Sequence, residues 1–140
     1  MTPLVDVCRR IEHVDTDAAG VVHFARYASL LETAVLENLE RLGIGVQQLG
    51  DDRLELAISE LRINYFASAR FYDLVRIGVS IDRVGGASAT VSGAIHRDET
   101  LLASGSLVFC VVGQAGGGVE PLPDRMRKAL RDCLNGGSHA

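Results

Sequence analysis

A chain of 140 residues has the size of one domain, and a hydrophobic content of 47% suffices for one ordinary core. The formal net charge of -4 leaves no global basic field, which argues against nucleic acid or an anionic membrane as a partner. Three cysteines without CxxC spacing fit neither a disulfide framework nor a zinc site, and no signal segment or apolar run of about 18 residues is present, so the expected location is the cytoplasm.

Residues 4–13 alternate, with Val5, Val7 and Ile11 on one side and Asp6, Arg10 and Glu12 on the other, which predicts a half-buried strand ending in a turn at Asp15 and Asp17. Over residues 24–42 the apolar positions Phe24, Tyr27, Ala28, Leu31, Ala34, Val35, Leu39 and Leu42 recur three and four apart, which predicts a helix stopped by Gly43. A polar loop through Asp51 and Asp52 follows. Leu54, Leu56 and Ile58 then alternate in one phase and Leu61, Ile63 and Tyr65 in the other, so a bulge is expected near Ser59 and Glu60. Val75, Ile77, Val79 and Ile81 form the clearest strand; Gly85-Gly86 turns the chain into a strand over 87–96, and Arg97-Asp98-Glu99 turns it into another over 101–112. A glycine-rich loop at 114–118 precedes a helix over 123–134 that places Met126, Ala129, Leu130 and Cys133 on one face, and the end of the chain from about residue 135 reads as a frayed tail.

The order of strand, long helix and then antiparallel strands predicts one α+β domain over residues 1–140, its curved sheet wrapped around the helix. The other sheet face and the edge strands then lack cover, so a homo-oligomer is expected.

Asp17 is the first candidate for chemistry. A carboxylate just before a helix start can attack an ester or thioester carbonyl, or take a proton from a water that does. The helix start supplies backbone N–H groups and partial positive charge for the oxyanion, here from Val22, His23 and Phe24. The competing reading is a capping role for Asp17 or Asp15. Gly20 permits close approach of a substrate to the backbone, or serves as a plain turn residue. His23 is the nearest imidazole, and Glu32 is a second carboxylate that falls off the apolar stripe. His13, His96 and His139 make no metal spacing, so no metal is expected. Arg62, Arg70, Arg76, Arg83 and Arg97 lie in the strand region without a clustering pattern, and neither a nucleophile elbow nor a phosphate loop occurs.

The run Asp15-x-Asp17-x-x-Gly20-Val21-Val22-x-Phe24-x-x-Tyr27 resembles the hotdog-fold acyl-CoA thioesterases of the 4-hydroxybenzoyl-CoA thioesterase type. The stretch from Asn64 to Asp73 is similar to that family's central strand pair, and the likeness runs over residues 9–112. The resemblance implies that Asp17 is the catalytic carboxylate, that the Phe24 N–H polarises the thioester carbonyl, and that the site is built in a dimer, usually within a tetramer. Two departures stand out: Phe24 replaces the His of relatives tied to the Tol-Pal envelope system, and near the 84–87 turn only Arg83 is available for coenzyme A phosphates. The Asp15-to-Val22 run is also similar to the 1,4-dihydroxy-2-naphthoyl-CoA thioesterase branch, whose acyl group is aromatic.

These readings converge on hydrolysis of an acyl thioester carried by coenzyme A or by the phosphopantetheine of an acyl carrier protein, with no separate cofactor. Asp17 acts as base or nucleophile; Gly20, Val22, Tyr27, Ile58, Ser59, Leu61 and Arg83 are the expected substrate contacts. The rivals are a hotdog hydratase or dehydratase, which would pair His23 with Asp17, and a binding protein without turnover.

Overall fold

The structure, a computed structural model, describes residues 4–136. Strand β1 (Val7–Arg10) leads through a 3-10 turn at His13–Asp15 into the long helix α1 (Phe24–Arg41). A short helix α2 (Val46–Asp51) precedes strands β2 (Leu54–Tyr65), β3 (Leu74–Val84), β4 (Ser88–Arg97) and β5 (Thr100–Gly113). Two residues of β6 (Val119–Glu120) and helix α3 (Asp124–Gly136) follow. All pairings are antiparallel, in the order β1-β3-β4-β5-β2, with β6 paired to the end of β5.

Helix α1 is the core around which the sheet curls. Tyr27, Leu30, Leu31, Ala34, Val35, Asn38 and Leu39 share its buried side, against Ile77, Val91, Leu107 and Phe109 of the sheet's inner face. Leu31 reaches the sheet where Gly93 of β4 pairs with Gly105 of β5; a Cβ on Gly93 would collide with Leu31 Cδ1. Asn38, the polar member of the stripe, is satisfied: its side chain exchanges hydrogen bonds with both Val5 N (2.8 Å) and Val5 O (3.0 Å) and donates to Ala34 O (2.9 Å). Just past the C-terminal turn, Gly43, with φ of 76°, stops the helix as expected: its N–H donates to Glu40 O and the Ile44 N–H to Leu39 O. Helix α3 packs on β3 with Met126, Leu130 and Cys133 buried.

The bulge expected at Ser59 lies between Ile58 and Glu60, where the β2–β5 register shifts. Other expectations need correction. The first strand is shorter than residues 4–13, because the chain leaves β3 after Arg10 and tightens into the 3-10 turn. The 114–118 loop is followed by β6, which alternation could not reveal in two residues. The supposed loop after Gly43 contains α2, whose six residues are too few for a period to show and which buries only Leu49. The 64–73 stretch is not a central strand pair: β2 stops at Tyr65 and is an edge strand, and residues 66–73 are a connection. Phe24 belongs to the helix but not to its buried stripe, with 66% of its surface exposed. Helix α3 runs through Gly136, and the rest of the expected tail lies outside the described residues.

Candidate active site

A tight loop presents Asp17. Thr16 and Val22 bridge across it, the Asp17 N–H donates to Val21 O (2.9 Å), and the Gly20 N–H donates to Asp17 O (3.0 Å). Gly20 takes φ of 82°, a conformation that a side chain would strain. Inside this loop Asp17 Oδ1 accepts from Ala19 N (2.8 Å) and, at a longer 3.4 Å, from Val21 N. The loop thereby orients the carboxylate, and Oδ2 keeps no hydrogen-bond partner among the described residues.

Asp15 has a different job. It is buried, with Oδ1 paired to Arg26 Nε at 2.7 Å and Oδ2 accepting from Glu12 N at 2.8 Å, so it ties the 3-10 turn to the first turn of α1. Neither aspartate caps α1: the cap is His23, whose Nδ1 accepts from Ala25 N at 3.2 Å while its ring stacks on Phe24.

The expected oxyanion donors separate on inspection. The Val22 N–H donates to Ala69 O and the His23 N–H to Asp15 O, both at 2.9 Å. Both amides are therefore engaged inside the protein. Only the Phe24 N–H, at the first position of the helix, has no acceptor among the described residues. The Phe24 carbonyl accepts from the Tyr65 hydroxyl (3.0 Å), which fixes this turn against the end of β2.

Asp17 and Phe24 border one open cavity of about 390 Å³, with Val21, Val22, Tyr27, Tyr65, Phe66, Ala67 and Ser68 forming the remaining wall. The buried Tyr27 hydroxyl accepts from Ala69 N (2.9 Å), and its ring meets Tyr65 edge to face. The 68–73 segment is stapled from outside. Asp73 Oδ2 accepts from Arg70 N (2.8 Å) and Arg97 Nη1 (2.9 Å), and the same Arg97 nitrogen donates to Ser68 O (3.0 Å).

Not every expected contact meets here. Ile58 and Leu61 border a second cavity of about 200 Å³ with Ala28, Ser29, Glu32 and Leu107, so Glu32 faces that space rather than the one beside Asp17. Ser59 occupies the bulge, its hydroxyl donating to Val108 O (3.3 Å). Arg83 sits near the far end of β3, roughly 30 Å along the strand from Leu74, and this chain does not bring it to the Asp17 cavity. The sequence reading passed over Tyr65, Phe66, Ala67 and Ser68 as wall residues. Two aromatics where a strand's alternation ends were the available signal. Among the described residues no group of three or more His, Cys, Asp or Glu is arranged to hold a metal, and no helix is long and apolar enough to cross a membrane.

Residues 19–104 match the family model described as Thioesterase superfamily. The chain belongs to the thioesterase superfamily. Like other members it has the hotdog architecture, a curled antiparallel sheet around one long helix. The thioesterase is similar to the acyl-CoA thioester hydrolase YbgC of Escherichia coli O6:H1, with 33% identity over 104 residues, 73% of this chain and 78% of that protein. It is 31% identical over 111 residues to the 1,4-dihydroxy-2-naphthoyl-CoA hydrolase of Synechococcus sp. (strain CC9605), 75% of this chain and 74% of the relative. The solved structure of the BH1999 gentisyl-coenzyme A thioesterase superposes with a TM-score of 0.83 at 26% identity, covering 90% of this chain and 99% of the other.

Proposed function

We propose that this thioesterase hydrolyses acyl-CoA thioesters at the Asp17 cavity, with the Phe24 N–H as oxyanion donor. One observation carries the reading: a carboxylate oxygen and a helix-start amide that have no partner among the described residues border the same cavity. An acyl carbon seated between them has its carbonyl oxygen at the amide and its face open to attack. In the direct route Asp17 Oδ2 bonds to that carbon, the C–S bond breaks to release coenzyme A thiolate, and water hydrolyses the resulting anhydride. In the alternative route Asp17 removes a proton from the attacking water, and the same thiolate leaves. Neither needs a separate acid, because a thiolate is a competent leaving group. The aromatic and aliphatic walls at Val21, Val22, Phe24 and Phe66 suit an apolar acyl group, and the two relatives named for aromatic acyl-CoA substrates favour an aromatic one.

The hydratase reading loses its acid. His23 would have to supply it, yet His23 does not border the cavity that Asp17 lines; its Nδ1 caps α1 and its ring stacks on Phe24. A dimer is the proposed assembly: β2 is a 12-residue edge strand with Ile58, Leu61 and Tyr65 exposed along it and Phe66 just beyond its end, and pairing two such edges would give a continuous sheet.

The test is thiol release from aromatic and aliphatic acyl-CoA and acyl-carrier-protein thioesters, with Asp17→Asn beside the parent. The expected loss in kcat is roughly 10²–10⁴-fold. Equal rates in the two proteins would remove Asp17 from the reaction. Turnover confined to carrier-protein thioesters would replace coenzyme A as the carrier.

A further inference from the structure

Outside the cavity, the 70–72 turn holds an unusual residue. Tyr72 adopts φ of 74°, a left-handed backbone that a bulky side chain adopts only under strain, yet its ring is 66% exposed. The fold gains little from that ring. Its neighbours are Phe71, at 6.0 Å between centroids, and Arg10, whose guanidinium lies 4.6 Å over one face and donates from Nη1 to Tyr72 O (2.9 Å). The result is a flat aromatic surface backed by a cation and held out to solvent.

Arg70 stands two residues away and pairs with Val21 across an antiparallel bridge. Val21 borders the cavity, so the bridge holds the Arg70 backbone directly behind the cavity wall. Its guanidinium makes no hydrogen bond or ion pair among the described residues. By contrast, Arg26 is held by Asp15 and Arg97 by Asp73. Those pairs also offset two of the nearby carboxylates, Asp15 and Asp73.

We infer that Arg70, Arg10 and the Tyr72 ring form a subsite for the nucleotide end of coenzyme A, an inference that rests on the acyl-CoA reading above. The chemistry matches part by part. A guanidinium fork binds phosphate oxygens with charge-assisted hydrogen bonds, and an exposed ring over a second guanidinium offers a base a stacking face. The reach matches as well. Tyr72 lies four residues beyond Ser68 of the cavity wall, at most about 14 Å of backbone, which the flexible pantetheine arm spans. This placement gives the coenzyme phosphates a basic site despite the remoteness of Arg83.

Calorimetric titration of coenzyme A and of pantetheine into the parent, Arg70→Gln and Tyr72→Gly tests the subsite without requiring turnover. The parent is expected to bind coenzyme A at least about tenfold more tightly than pantetheine, and each variant to lose about tenfold for coenzyme A alone. Two variants are used because one removes charge and the other removes the ring while relieving backbone strain. Equal affinity of the parent for the two ligands, no coenzyme A binding, or unchanged coenzyme A affinity in both variants would overturn the inference. Failure of the hydrolysis reading looks different: coenzyme A binds through these residues, but no thioester is cleaved.

Discussion

Phe24→Pro removes the amide hydrogen proposed to hold the oxyanion, together with a ring on the cavity wall, while leaving the helix start in place. Position 24 is the first residue of α1, where proline is tolerated because that N–H has no intrahelical acceptor and the required φ is already helical. The preceding residue is compatible too: His23 has ψ of 136°, inside the extended range that a following proline demands. Losing the ring costs little, since 66% of Phe24 is exposed; a third of the roughly 1.5–3 kcal/mol for full burial is about 0.5–1 kcal/mol. The proline restricts the unfolded chain and returns about 0.4–1 kcal/mol, so Tm should stay within about 3 °C of the parent. The Tyr65 bond to the residue 24 carbonyl survives, because proline keeps its C=O. Catalysis, however, loses the amide proposed to stabilise the oxyanion, and comparable deletions cost about 2.7–4 kcal/mol of barrier, a 10²–10³-fold fall in kcat. Thiol release under saturating acyl-CoA, with a melting curve on the same sample, reads both quantities. A variant with parental Tm and kcat within threefold of the parent would refute the Phe24 N–H as oxyanion donor.

Tyr27→Phe leaves the buried Ala69 N–H without its acceptor, which should cost about 1–3 kcal/mol and lower Tm in a denaturation series; an unchanged midpoint would show that the amide finds water. Tyr72→Gly should hold or raise Tm, because relief of about 1–2 kcal/mol of left-handed strain exceeds the roughly 0.5–1 kcal/mol of an exposed cation–π contact, and a clear drop would contradict this. Burial first, and the neighbouring Asp132 charge second, push the Cys133 thiol above the usual cysteine range, against a smaller opposing effect of Arg41. The unfolded thiol therefore ionises before the folded one. Its contribution to stability is present below the unfolded pKa and is lost as pH rises through the folded one, so Cys133→Ala should flatten the alkaline limb of a stability–pH curve. An identical limb in parent and variant would exclude Cys133 as its source.

Where one face of an element is buried over several periods, the sequence sufficed to find it. The stripe of α1, the alternation of β3 and the phase change at Ser59 each repeat a signal over many residues, and their bounds agree with the structure to within three residues. Short elements escaped for the converse reason: α2 and β6 bury too little to leave a pattern. The candidate site was legible at Asp17, Gly20, Val22 and Phe24, which are close in sequence. Its opposite wall was less so, because Tyr65 to Ser68 reach the cavity only through the end of β2. Arg83 shows the limit of spacing arguments: a basic residue near a turn is informative only once the turn's distance from the cavity is known.

The start of α1 separates structural from chemical hydrogen bonding. Every helix begins with four N–H groups that lack intrahelical acceptors, here those of His23, Phe24, Ala25 and Arg26. Asp15 O takes the first, His23 Nδ1 the third and His23 O the fourth. The capping that secures the helix thus leaves one donor, at Phe24, on the wall that also carries Asp17. Because Asp15 anchors the entry turn and Arg26 from beneath, the unengaged amide is held in place without contacts of its own. A donor fixed in this way needs no reorganisation when charge develops on a carbonyl oxygen, which is the condition under which a single hydrogen bond contributes most to a rate.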